Sequence, residues 1–210
     1  MTTDKKDFDA AASTWDENPA RVKLAGEVAE AIIRRVSPNR AMNAADFGCG
    51  TGLLSLKLQP LVASITGIDS SPGMLEILRA KVDIGKLTNV RTQLVDVEKG
   101  EVLAGSYDLI TSCMTLHHIA DPKALLGHLS SALAPGGILA VADLDPDGGL
   151  FHDDNTGVHH FGFDRGMVRA MFAGAGLLDI EDGTATELVK PAAGGTKRNF
   201  SVFLVSGRKG

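Results

Sequence analysis

The sequence predicts an α/β fold, a mostly parallel sheet with helices on both faces, and three observations carry that reading. Short apolar segments alternate with helical patterns between residues 42 and 144, and such alternation implies parallel strands joined by crossover helices. A glycine-rich turn, Asp46-Phe47-Gly48-Cys49-Gly50-Thr51-Gly52, separates the first apolar segment from the helical pattern after it. Two alternating segments near the end, 177–189 and 199–206, read as a hairpin. With 210 residues the chain suits one domain with a substantial core.

The elements follow in order. Residues 8–36 look helical, with Ala25, Val28, Ala29, Ile32, Ile33 and Val36 on one apolar face, and Ser37-Pro38 ends the helix. A strand runs to Phe47, a helix from Gly52 to about Leu61, and a strand over Ser64 to Asp69. Then come a helix from Pro72 to about Val82, a strand from Val90 to Asp96, a short turn, and a strand from Tyr107 to Cys113. The helix Pro122 to Leu133 and the strand Ile138 to Leu144 complete the alternating part. The pattern breaks at Asp145-Pro146-Asp147-Gly148-Gly149, and residues up to Asp164 are rich in Gly, Asp and His without a period. A loop of that length in a compact domain is often functional. A helix from Arg165 to about Gly174 precedes the two tail strands, which the loop Pro191–Thr196 joins.

Composition narrows the function. Net charge −5 argues against a broad electrostatic grip on nucleic acid, which needs clustered Lys and Arg. Cys49 and Cys113 form neither a disulfide framework nor a metal-thiolate motif, and read as small buried residues of a reducing compartment. The N-terminus is polar and no apolar run reaches membrane-spanning length, so a cytoplasmic protein with no membrane association is expected.

The glycine turn carries the most chemistry. Glycines there let backbone approach a ligand closely. The spacing is not that of the dinucleotide loop G-x-G-x-x-G, because Leu53 stands where that fingerprint has its third glycine. Asp46 would repel a pyrophosphate but suits an ammonium group. S-adenosylmethionine (SAM) has an ammonium group and a sulfonium and no phosphate. Asp69 ends the second strand about 20 residues beyond the loop, where a ribose-binding carboxylate is expected.

The motifs D-F-G-C-G-T-G, G-I-D-S-S-P-G-M-L, Y-D-L-I-T-S-C-M-T-L-H-H-I-A-D and L-A-P-G-G-I-L occur in order over roughly residues 42–145. With them the chain resembles the class I SAM-dependent methyltransferases of the small-molecule, type 11 kind. The resemblance implies a Rossmann-like seven-stranded sheet with an antiparallel C-terminal hairpin. It implies one domain: a helical lid (1–36), a cofactor-binding core (37–145) and an acceptor-side insertion, helix and hairpin (146–210). It assigns Gly48, Cys49, Gly50 and Gly52 to the loop crossed by the methionine part of SAM, Asp46 to its amino group, and Asp69 to the ribose hydroxyls. Ser70 and Met74 are candidates for packing the adenine, Met74 equally a core methionine. Asp96 and Val97 would meet the adenine amine, and Ser112 and Cys113 would border the sulfonium. The product would be S-adenosylhomocysteine (SAH), and the acceptor a small molecule.

The acceptor side is less defined. His117, His160 and Asp145 are candidate bases, needed only if the acceptor must lose a proton. His117 could also hold its loop, and His118 could pack on or cap the next helix. His152, His159 and His160 lie near Asp143, Asp145, Asp153 and Asp154 in sequence. They lack the i, i+4 pair of an H-E-x-x-H metal site, so a pocket wall or solvated loop is expected rather than a metal centre. Phe161 and Phe163 could supply an apolar wall. Trp15 belongs either to a lid over the ligand or to a surface staple. The Asn/Asp-Pro-Pro-aromatic motif of nucleobase amino methylation does not follow strand four, and a Pro-Cys nucleophile does not occur. The expectation is therefore methyl transfer to a small molecule; the other classes are a protein side-chain methyltransferase and a non-catalytic SAM-binding module.

Overall fold

The computed structural model describes residues 6–191 and 197–210, apart from the side chain at 191. Its sheet has the order β3-β2-β1-β4-β5-β7-β6, built from β1 (Asn43–Phe47), β2 (Ser64–Asp69), β3 (Val90–Leu94), β4 (Tyr107–Cys113), β5 (Leu133–Leu144), β6 (Leu177–Pro191) and β7 (Lys197–Lys209). Strands β1 to β5 pair in parallel, and β7 pairs antiparallel to both β5 and β6. This is the Rossmann-like sheet with a C-terminal hairpin that the sequence predicts. The loop expected within 191–196 lies outside the described residues for positions 192–196. Among the described residues, no helix is long and apolar enough to cross a membrane.

Alternation along the strands divides the core in two. Ala44 of β1 and Val202 and Leu204 of β7 face α2 (Pro19–Val36), α3 (Ser55–Leu58) and α4 (Pro72–Gly85), through Val28, Ile32, Leu58, Leu75 and Leu78. Ala45, Phe47, Phe203 and Val205 face the other way, against Leu125 and Leu129 of α5 (Pro122–Ser131) and Val168 and Phe172 of α6 (Arg165–Gly174). The six apolar positions expected on the N-terminal helix lie on its packed side, Ile33 only half-buried.

Several boundaries differ from the sequence reading for local reasons. The N-terminal helix is broken into α1 (Phe8–Ala11), a 3₁₀ turn (Ala12–Glu17) and α2. Pro19 forces the break: it takes the first helical position and holds Asn18 extended, at ψ 106°, while the Asn18 side chain accepts from Ala20 N–H. α3 starts at Ser55 instead of Gly52, since Gly52 is still in the turn with φ 84°. β3 stops at Leu94, and Asp96 has left the sheet to cap the 3₁₀ turn Val97–Lys99. α5 ends at Ser131, and β5 begins at Leu133 because Leu133 pairs with Tyr107 before a register shift brings Ile138 beside Leu109.

The order of strands fixes where a ligand can sit. Chain direction across the sheet reverses between β1 and β4, and a crevice opens outside the carboxyl ends of strands at such a point. Register brings Phe47 beside Ile68 and Ser112, and Asp69 beside Leu94, all at that edge.

Candidate active site

Beyond β1 the chain folds back on β2. The N–H groups of Gly48 and Cys49 both donate to the carbonyl of Ile68, at 2.8 and 3.0 Å. Gly48, Gly50 and Gly52 all have positive φ, at 69°, 54° and 84°. Gly50 donates its N–H to Asp69 Oδ2 at 2.8 Å, and Ser71 N–H donates to Asp69 Oδ1 at 2.9 Å. One carboxylate thus ties the glycine turn to the start of α4. Burial pushes the Asp69 carboxyl up, against the pull of these N–H groups. Ser70 beside it is exposed, and Met74 is buried behind Gly50.

Asp46 is fully buried at the end of β1. Ser55 Oγ donates to its Oδ2 at 2.5 Å and Thr111 Oγ1 to its Oδ1 at 2.9 Å. Neither hydroxyl was singled out by sequence reasoning, which sees a strand end but not what crosses it from α3 and β4. Burial raises the Asp46 pKa to about 6, partly offset by the two hydroxyls and reinforced by nearby Asp69. The thiols of Cys49 and Cys113 are pushed up by burial and then by the same carboxylates. They are protonated and inert, since the thiolate is the reactive form. Next to Cys113, Ser112 Oγ is, among the described residues, a buried side-chain oxygen with no hydrogen-bond partner. Leaving such a group unpaired costs about 1–3 kcal/mol, so a ligand or water at this edge would be stabilised there.

Asp96 does more than end a strand. Its side chain accepts from Glu98 N–H at 3.1 Å and pairs with Lys99 at 3.2 Å, and its N–H donates to Glu101 Oε2 at 2.8 Å. Val97 follows, half-buried against the α5 side of the sheet.

The groups expected on the acceptor side separate into different places. His117 is buried: its N–H and its ring Nδ1 both reach Asp143, at 3.2 and 2.7 Å. Burial would raise the Asp143 carboxyl, but His117 and the Leu144 N–H outweigh it and hold it below its ordinary range. His118 Nδ1 lies 2.7 Å from the Gly157 carbonyl, which can only accept, so Nδ1 carries the proton. His118 does not cap α5; Asp121 does, accepting from Ala124 N–H. His152 Nε2 is 3.1 Å from His117 Nε2. His160 donates instead to the Ile119 carbonyl at 3.0 Å and lies against Phe163, which is buried in the core, while Phe161 is half exposed. The N–H groups of His159 and His160 both bond to the carbonyl of His117.

Asp145 is held in a fork by Arg165, at 2.7 and 2.6 Å, and accepts from Ser201 Oγ at 2.5 Å. This joins the end of β5 to α6 and β7 and leaves little for proton transfer. Asp145→Ala should lower stability by about 1–3 kcal/mol, the cost of stranding a partly buried guanidinium and a hydroxyl. Thermal unfolding would register it, with SAH affinity unchanged. Lost methyl transfer at an unshifted melting temperature would restore Asp145 as a base.

The N-terminal segment lies over this edge. Asp16 accepts from Thr51 Oγ1 at 2.6 Å and pairs with Lys81, whose ammonium also bonds the Thr51 carbonyl at 2.7 Å. Asp9 accepts from Ser71 Oγ at 2.5 Å and Gly73 N–H at 2.8 Å. Phe8 packs edge-on against Trp15 and His118, at 6.0 and 5.2 Å between ring centres, and Arg21 covers Trp15. The segment therefore touches the glycine turn, the start of α4 and the histidines together.

Known proteins are similar to this chain in sequence and fold. A family profile described as a methyltransferase domain matches residues 21–178. An uncharacterised methyltransferase of Schizosaccharomyces pombe is 33% identical over 155 residues, covering 67% of this chain and 55% of that protein. A ubiquinone biosynthesis O-methyltransferase of Xanthomonas axonopodis is 34% identical over 129 residues, covering 61% of this chain and 50% of that protein. The chain thus spans about half the length of these curated relatives. A SAM-dependent methyltransferase from Aquifex aeolicus shares the fold with a TM-score of 0.69 at 21% identity, over 97% of this chain and 99% of that one. The residues at the edge fit SAM: a buried carboxylate at the end of β1, a second bound to the glycine turn, and, among the described residues, an unpartnered buried serine hydroxyl. The chain belongs to the methyltransferase-domain family, within the class I SAM-dependent methyltransferases.

Proposed function

We propose that the protein methylates a hydroxyl of a small molecule at the crevice between β1 and β4. One observation carries the reading. The two carboxylates that suit SAM and the buried His117–Asp143 pair meet at the same edge, beneath the N-terminal segment. The likeness to an O-methyltransferase of ubiquinone biosynthesis supports a small-molecule hydroxyl.

SAM, when bound, supplies an activated methyl group on a sulfonium. In this proposal Asp46 takes the ammonium, Asp69 the ribose hydroxyls, and the backbone of Ser112 and Cys113 borders the sulfonium. Asp96 and Val97 take the adenine. The main catalytic contribution of the chain is position: holding the acceptor in line with the methyl can supply up to about 7–11 kcal/mol in favourable cases. The Phe8–Trp15 lid excludes water. Of the three candidate bases, Asp145 and His160 are committed as braces. His117, backed by Asp143, is the one we place on the acceptor side. Incubation with methyl-labelled SAM and a panel of phenols, aliphatic alcohols, amines and a protein acceptor tests the assignment. Label on amines or protein only would overturn the hydroxyl acceptor, and label on none would favour a binding module.

The Asp46 assignment also predicts a pH dependence. Its folded pKa, about 6, stands above the unfolded value of 3.8. The stability it contributes is therefore fully present below pH 3.8 and lost as pH rises through about 6. An ammonium beside it reverses the preference by favouring the ionised form. SAH affinity should thus fall as pH drops through about 6, up to tenfold per unit, with proton uptake on release. Calorimetry in buffers of different ionisation enthalpy measures that proton, and Asp46→Asn should abolish it. A proton count of zero near pH 6 would remove Asp46 from the ammonium site.

A further inference from the structure

The rings of His117, His118 and His152 gather from two distant segments, the 3₁₀ turn after β4 and the irregular stretch before α6. A nitrogen from each lies within 4.8 Å of the others. The outward nitrogens of two rings are already engaged: His117 Nδ1 with Asp143 and His118 Nδ1 with the Gly157 carbonyl, both at 2.7 Å. A carboxylate or carbonyl behind the ring is how metal-binding imidazoles are oriented, leaving the other nitrogen as a lone pair. The Nε2 atoms of His117 and His152 stand 3.1 Å apart.

We propose that His117, His118 and His152 form a site for a first-row divalent cation such as zinc, and, resting on the methyl-transfer reading, that its open position takes the acceptor's oxygen. Imidazole suits zinc, and three histidines with a fourth position free is the pattern of catalytic rather than structural zinc. Around a tetrahedral zinc with bonds of about 2.0–2.1 Å, neighbouring ligand nitrogens are about 3.3 Å apart. His117 and His152 are near that spacing, and the ligand nitrogen of His118 lies within 4.8 Å of both. A hydrogen bond between His117 and His152 would use one proton and two rings, whereas an ion engages all three. The sequence alone predicts a pocket wall or solvated loop at His152, His159 and His160 and no metal centre. The fold keeps His152, turns the backbone of the other two onto the carbonyl of His117, and supplies His117 and His118 in their place.

A bound cation would ease loss of the acceptor's hydroxyl proton, as it does for water. With His117 engaged as a ligand and not as a base, that proton passes to solvent as the acceptor enters, before the N-terminal segment excludes water. The oxygen then forms its bond to the methyl carbon as the carbon–sulfur bond breaks, its electron pair staying on sulfur to give SAH.

The test uses the full, untagged chain after chelator treatment. Cobalt(II) titrated into it should give the visible absorption of a low-coordinate nitrogen-ligated ion, saturating at one equivalent and displaced by zinc. Asp143→Asn should weaken binding about 10–100-fold, as loss of a group behind a ligand does. His152→Ala, on a loop and able to fold, should weaken it further, and zinc should raise the melting temperature of the wild type but not of this variant. No cobalt absorption in the wild type would overturn the site, as would equal titrations of wild type and His152→Ala. SAH binding, measured separately by calorimetry, reports on the methyltransferase reading. Its failure with cobalt bound would overturn the acceptor role and not the ligand set.

Discussion

Gly50→Val should leave a folded protein that binds SAH at least about 100-fold more weakly, a loss of about 3 kcal/mol or more. A side chain built at Gly50 meets only the Met74 sulfur, 3.9 Å away. The first carbon therefore has room in the fold, and in the proposed function this turn is the one the methionine part of SAM crosses. The backbone cost is separate: φ of 54° is left-handed, which an L-residue adopts at about 1–2 kcal/mol. Gly48→Ala is the contrasting variant. Its new carbon would lie 2.1 Å from Thr115 Oγ1 and 2.7 Å from Thr115 Cβ, so β1 and the segment after β4 would be forced apart. Gly48→Ala should lower the melting temperature strongly, and its loss of binding should follow its loss of structure. Gly50→Ala, with one methyl group, should fall between wild type and Gly50→Val in SAH affinity. Calorimetry and thermal unfolding on all three separate ligand obstruction from misfolding. Normal SAH binding by a folded Gly50→Val would place the cofactor elsewhere.

The sheet was legible because its signals are local and repeated. Apolar alternation, Pro at the first turn of α2, α4 and α5, and glycines after β1 each report on a few neighbouring residues. The hairpin was legible for the same reason. The errors sit where a distant residue decides. Leu133 joins the sheet because Tyr107 is opposite, not because of its own neighbours. Asp145 reads as a lone acid in a loop, yet Arg165 and Ser201 arrive from α6 and β7 to occupy it.

The candidate site divides along the same line. The residues proposed to face the cofactor form consecutive motifs at strand ends, so Asp46, Asp69 and the glycines stand out in the sequence. The histidines of the acceptor side could be named but not paired. His117 finds Asp143 across 26 positions and His152 across 35, and nothing in the irregular stretch fixes which of its three histidines turns inward. Pairing there depends on how Asp147 ties the loop, accepting from Phe151 N–H at 2.8 Å. A lone Asp between Pro and Gly gives no sign of that role.

Asp69→Ala should also reduce SAH binding at least about 100-fold. Two charge-assisted hydrogen bonds to ribose hydroxyls, at about 1.5–3 kcal/mol each, amount to about 3–6 kcal/mol. The structure adds a complication, since Asp69 already accepts from Gly50 and Ser71 N–H. Part of the loss could therefore come from a loosened glycine turn instead of a missing ribose contact. Each carboxylate oxygen has two lone pairs, so backbone and ribose can share them. A double-mutant cycle divides the two effects. Wild type and Asp69→Ala are each titrated with SAH and with its 2′-deoxy analogue. If Asp69 holds the ribose, the wild type should prefer SAH over the analogue by more than tenfold, and the variant should show almost no preference. Equal weakening of both ligands by the substitution would mean that Asp69 only positions the turn.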